Sequence, residues 1–230
     1  MSETTSTATE SGHVVAAAAE MSTECPGAGA CAGAGTGGAG GAGAGAGAGV
    51  DGAGATAAAR TPTRFNFGRV SALDELAHAC SRPGYPSKAV TAAQVEEWVV
   101  YLRTHGVTRV VSLLGDDEVA DWYTQDLDAV MDAAMTDYAR TSVFADGAKA
   151  VLEAAFQRAH DACEAFVVHC SGGTGRASLG ASVWLVWKHG LTPEQAAGAM
   201  LAYAKGKPFA RRPSAQKNQE LHERGCMSRK

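Results

Sequence analysis

The stretch Phe166-Val167-Val168-His169-Cys170-Ser171-Gly172-Gly173-Thr174-Gly175-Arg176, running on into Ala177-Ser178-Leu179, decides how the rest of the chain is read. A short apolar run ends in a polar, glycine-rich turn, and a long apolar segment follows, which predicts strand, tight loop and helix. A loop closing over a helix N-terminus gathers backbone N–H groups at one point, where the helix dipole also favours negative charge, and so forms an anion site. Gly172, Gly173 and Gly175 let the backbone curl without a Cβ clash. The same field favours the thiolate of Cys170, the nucleophilic form. Arg176, six residues on, can return its planar fork to the loop and hold two oxygens of a phosphoryl group.

Working outward, elements alternate on both sides of this turn. Upstream, Thr91 and Gln94 form a capping box. Val95, Trp98, Val99 and Leu102 then keep a helical period up to Gly106. Residues 107–114 read as a strand covered on both faces, because Val110, Val111, Leu113 and Leu114 leave no polar side. Residues 122–131 suggest a short helix, 133–135 an irregular strand, and 144–163 a helix carrying Val151, Leu152, Ala155, Phe156 and Ala159 on one period. Downstream, the helix beginning near Arg176 stops at Gly190, and Thr192, Pro193 and Gln195 open another. The expected fold is α/β, a central mixed sheet of about four to five strands flanked by helices.

Composition sets the boundaries. Residues 26–57 are almost entirely Gly and Ala, with nothing to bury, so residues 1–62 are expected to be a disordered leader and 63–225 the folded domain. Residues 1–60 hold five acidic residues against one basic, leaving nineteen of each in the remainder. A neutral domain carries no footprint for nucleic acid, and no window approaches the ~20 continuous apolar residues of a membrane span. Six scattered cysteines lack the spacing of a disulfide scaffold, which favours a reducing, cytoplasmic setting. The Ser-, Thr- and Ala-rich start leaves a plastid open, although its glutamates have the wrong sign for a transit peptide. A monomer is expected.

At His169, Cys170, Gly173 and Arg176 the sequence resembles the protein tyrosine phosphatase superfamily, whose signature is His-Cys-x-x-Gly-x-x-Arg. The short domain, with Arg82-Pro83-Gly84-Tyr85-Pro86 ahead of it, resembles the dual-specificity-like branch. The resemblance implies a metal-independent hydrolase of phosphoproteins without a cofactor. In it Cys170 is the nucleophile, Arg176 and the residues Ser171, Gly172, Gly173, Thr174 and Gly175 bind phosphate, and His169 supports the loop and helps keep the thiolate ionised. It also implies an acidic residue on a separate upstream loop to protonate the leaving oxygen. Asp137 is the expectation, with Asp132 and Asp146 as alternatives. Ala177 departs from the pattern, since a Ser or Thr hydroxyl there assists the second step. Ser178 lies about 100° round the helix from it and does not substitute. Ala at this position also occurs in phosphoglucan phosphatases of the superfamily, so a phosphorylated glucan is an alternative substrate, and a phospho-binding module without turnover is another reading. Arg211, Arg212, Gln216, Asn218 and Gln219 resemble a polar segment that relatives place beside the site.

Overall fold

The computed structural model describes residues 63–227, so the expected leader lies outside the described residues. Strands β1 (Gly68–Arg69), β2 (Ala77–Ser81), β3 (Val107–Ser112), β4 (Asp137–Arg140) and β5 (Ala165–Cys170) form one mixed sheet in the order β1-β2-β5-β3-β4. β1 runs antiparallel to β2, and every other pairing is parallel. β5 is central and buried on both faces, as its run of Phe166, Val167 and Val168 requires. In register, Ser81 lies beside Cys170, while Ser112 lies beside both His169 and Arg140. The carboxyl ends of four parallel strands therefore meet at one edge, where open α/β sheets place their ligands.

Helices cover both faces. On one side α1 (Ala92–Thr104) and α3 (Leu127–Ala134) bury Trp98, Leu102, Leu127 and Met131 against Val110 and Val167. On the other, α4 (Ala148–Asp161), α5 (Arg176–His189), α6 (Pro193–Ala204) and α7 (Ala215–Arg224) pack Phe156, Trp184, Met200 and Leu221 against Phe166 and Val168. α5 is apolar nearly all round because it is enclosed. It approaches the sheet closely at Gly180, where a Cβ would stand 2.9 Å from Leu113 Cδ1 and 3.0 Å from Val168 Cγ1.

The expected capping boxes at Thr91 and Thr192 are present. Three boundaries differ from the sequence reading. The single helix expected at 122–131 is two, α2 (Asp116–Trp122) and α3, because Tyr123 leaves the helix to bridge Val90. The strand expected at 133–135 is the C-terminal end of α3 and its cap, and the strand itself is β4, two residues later. β2 is an addition that the sequence reading did not contain.

Candidate active site

Cys170 ends β5 and is 4% exposed, at the base of the loop that carries the chain into α5. The loop's carbonyls are taken up from outside. Arg82 N–H donates to the carbonyls of Cys170 and Ser171 at 2.9 and 3.1 Å. Asn66 Nδ2 donates to Gly172 and Gly173 at 3.3 and 3.1 Å, and Arg212 N–H donates to Thr174 at 3.1 Å. By contrast, none of the backbone N–H groups from Ser171 to Gly175 donates to a described residue. Carbonyls satisfied on one side and N–H groups left open make an anion receptor. Gly173 allows the turn: its φ is +71°, and a Cβ there would stand 2.3 Å from the Cys80 carbonyl carbon and 2.4 Å from Ser81 N.

Arg176 opens α5 and is held on three contacts. It donates to Leu113 O at 2.9 Å and, through Nη1 and Nη2, to both carboxylate oxygens of Glu118 at 2.5 and 2.6 Å. Glu118 also accepts the Gly115 N–H at 3.0 Å as it caps α2. Burial pushes the Glu118 carboxyl up, but hydrogen bonds from Arg176 and Gly115 outweigh it and hold the group below its usual range. Burial likewise weakens the Arg176 cation, and the Glu118 contacts more than restore it. The pair fixes the guanidinium fork beside the loop.

His169, expected to support the loop and to help keep the thiolate ionised, immediately precedes Cys170 at the end of β5. The ring is fully buried, edge-on to Trp98 at 5.3 Å, and loss of water holds its pKa down to about 3, an effect the neighbouring Cys170 backbone only partly offsets. The ring packs behind the loop with Trp98 as its aromatic neighbour. Ala177 is fully buried in the first turn of α5, and the Ser178 hydroxyl donates back to the Thr174 carbonyl, so it is engaged within the loop. Cys80 sits in the core on the α1 side of the sheet, whereas Cys170 belongs to the core on the α5 side.

Asp137 does not reach the site. It begins β4, in register with Arg109, which pairs with Phe166 at the opposite end of β5 from Cys170. Four residues of strand separate these ends, about 13 Å at ~3.3 Å per residue. Its carboxylate is also occupied, accepting from Arg109 at 3.3 Å and from Arg158 at 3.0 and 3.1 Å. Asp132 lies exposed on α3, ahead of the same far end. The loop that follows β4 at the near edge is 141–147, and its sole carboxylate is Asp146. This residue is exposed and accepts a thiol hydrogen bond from Cys226 at 3.6 Å. Residues 114–117 and 140–142, with Ala145, line a cleft of about 580 Å³ between this loop and α2. Within it Asp116 is tied to Arg140 at 2.6 Å.

Two residues of the site, Asn66 and Glu118, escaped the sequence reading, and Arg82 was read only as part of a family-like turn and not as a loop contact. Arg211 stood in the polar segment singled out from sequence, and of that group it contacts the loop by its side chain, donating to Gly173 O at 3.4 Å. Asn218 instead supports α6, donating to Pro193 O at 3.2 Å. Among the described residues no three His, Cys, Asp or Glu side chains gather as a metal site would need, and no helix is long and apolar enough to cross a membrane.

Over residues 87–226 the sequence matches the family model described as Swiss Army Knife protein, DSP-PTPase phosphatase domain. No curated protein matches it. Solved structures to which it is similar include PTPMT1 in complex with PI(5)P, at 16% identity over 70% of this chain and 99% of that one, with a TM-score of 0.49. A kinase associated phosphatase whose catalytic-site cysteine is replaced by serine aligns at 17% identity, 64% and 84% coverage and a TM-score of 0.49. Human DUSP28 aligns at 20% identity, 71% and 99% coverage and a TM-score of 0.40.

Proposed function

The chain belongs to the Swiss Army Knife DSP-PTPase phosphatase domains, in the dual-specificity-like part of the protein tyrosine phosphatase superfamily, and from that membership we propose that it hydrolyses phosphomonoesters on tyrosine, serine or threonine side chains through a phosphocysteine intermediate. The observation that carries this reading is Cys170 at the base of a loop whose carbonyls are bound from outside and whose N–H groups have no acceptor among the described residues. In the first step the Cys170 thiolate forms a bond to phosphorus as the ester P–O bond breaks, and the leaving oxygen takes a proton. In the second, water attacks phosphorus, gives up its proton, and the thiolate departs with phosphate released. Arg176, fixed by Glu118, spans the equatorial oxygens while charge spreads over them.

Asp146 is the proton donor in this proposal. It is the carboxylate of the loop between β4 and α4, which is the place in the order strand, acid loop, helix that Asp137 was expected to fill. Glu118 does not suit the role, because a carboxyl held ionised by Arg176 has no proton to give. A second reading, binding without turnover, is favoured by Ala177 alone, since a missing hydroxyl slows the second step.

The test is steady-state hydrolysis of p-nitrophenyl phosphate and of a phosphoserine peptide with EDTA present. Activity should vanish in Cys170→Ser. In Asp146→Asn it should fall by ~10²-fold or more on the peptide, whose leaving group needs the proton, and less on the aryl ester. Full activity in Asp146→Asn with loss in Asp117→Asn would move the acid to α2. Wild-type protein that binds vanadate yet turns over neither substrate would establish the binding module.

A further inference from the structure

The charges around Cys170 leave two cations unanswered. Arg176 is neutralised by Glu118, and His169 is buried and neutral. Two further guanidiniums stand behind the loop, Arg82 at 1% and Arg211 at 4% exposure. Arg211 donates only to carbonyls, those of Asn66, Gly173 and Ala210 through Nη1 and those of Gly68 and Ala79 through Nη2. Arg82 donates to the Pro83 and Ser87 carbonyls and lies 4.4 Å from the centre of the Trp122 ring. Among the described residues neither ion-pairs with a carboxylate, and the Nε of each is buried without a hydrogen-bond partner. A buried cation surrounded by neutral dipoles is costly unless an anion sits close by.

Few groups facing these cations can supply that anion. Arg211 faces Cys80 of β2, Cys170 of β5 and Tyr203 of α6. Arg82 faces Glu118 of α2, already committed to Arg176, together with Tyr123 and His169. Burial pushes the Cys80 thiol up, far into its neutral range, and pushes Tyr123 up to about 12. We propose that Arg211, seconded by Arg82, is the counter-charge of the active site, a positioning residue whose buried guanidinium is balanced by the Cys170 thiolate at rest and by the phosphoryl group when the loop is filled. The assignment rests on Cys170 being the nucleophile. It accounts for a buried arginine whose hydrogen bonds all go to carbonyls and whose guanidinium otherwise neighbours the Phe209 ring, 4.5 Å from the ring centre.

Because Arg211 also clips Gly173, its electrostatic role must be separated from its structural one. The experiment follows iodoacetamide alkylation of Cys170 by peptide mass spectrometry across pH in wild type, Arg211→Gln and Arg211→Lys, beside residual activity and thermal stability. Glutamine keeps donors without the charge, and lysine keeps the charge. Arg211→Gln should be alkylated about tenfold more slowly at pH 6, with the midpoint of its rate profile raised by about one pH unit, whereas Arg211→Lys should stay within about threefold of wild type. A midpoint unchanged in Arg211→Gln, with stability alone reduced, would reduce the residue to a structural clip. Should that variant fail to fold, Arg82→Gln decides by the same shift or its absence. Activity that survives complete alkylation of Cys170 would instead overturn the nucleophile reading itself.

Discussion

Cys170, Gly173 and Arg176 are separable by what each cannot lose. In the proposed reaction Cys170 is the nucleophile, and Arg176 carries a charge that Glu118 holds in one orientation at 2.5 and 2.6 Å. Gly173 contributes only the absence of a side chain. Its φ of +71° and the 2.3 Å approach to the Cys80 backbone leave no room for a methyl group, and backbone cannot swing aside as a flexible side chain would. Gly173→Ala should therefore lower kcat/KM by at least ~10²-fold through displacement of the loop, with folded protein still visible by circular dichroism; activity within a few-fold of wild type would show that the loop tolerates a different path. Ala177 is the opposite case, a position where a missing hydroxyl costs nothing in packing and is expected to cost rate in the second step.

At the scale of elements, α5 joins the site to the core. Its far end is fixed by Asp74 in the β1–β2 turn, which accepts from Trp184 Nε1 and meets His189 Nε2, both at 2.6 Å. Asp74→Ala would strand the buried indole N–H and should destabilise the fold by about 2–3 kcal/mol, read from urea unfolding, while leaving kcat nearly unchanged. A large kcat loss at unchanged stability would mean that α5 transmits strain to the loop.

The same scale explains what the sequence disclosed. β5, the loop and α5 were legible because their signal is local: an apolar run, glycines at fixed offsets, then an apolar helix. β4 was misplaced because Asp137-Tyr138-Ala139-Arg140 is half-buried and polar, while the apolar residues Ala133, Ala134 and Met135 just before it belong to the end of α3. That slip of a few residues carried the acid assignment to Asp137, at the wrong end of the sheet. β2 escaped notice because Ala77 and Ala79 bury too little to stand out. Asn66 touches Gly173 across a gap of 107 residues and Arg211 touches it across 38, and no local pattern marks contacts of side chains with distant carbonyls.

For the whole molecule, burial of ionisable groups links folding to pH. Native His169 stays neutral down to about pH 3, while the unfolded chain takes up a proton near 6.5. Stability is then full above about 6.5 and falls by up to ~1.4 kcal/mol per pH unit as pH drops toward 3. Asp74 adds to this at the acid end: burial pushes it up, but hydrogen bonds from His189 and Trp184 win and hold it below its usual range, so its contribution is present above about pH 4 and lost as pH falls through its folded value. The urea midpoint should thus be flat between about pH 8 and 7 and decline steadily below 6.5; a midpoint constant to pH 5 would contradict a neutral His169.

In the proposed reaction Cys170 receives the phosphoryl group and, lacking a hydroxyl at Ala177, gives it up slowly. Rapid acid quench of the wild-type protein with p-nitrophenyl phosphate, followed by intact and peptide mass spectrometry, tests it most directly. A burst of one p-nitrophenol per active site is expected, with a matching phosphoryl adduct on the Cys170 peptide that decays at the steady-state rate. Sustained turnover with no adduct at any quench time, or an adduct on another residue, would contradict it.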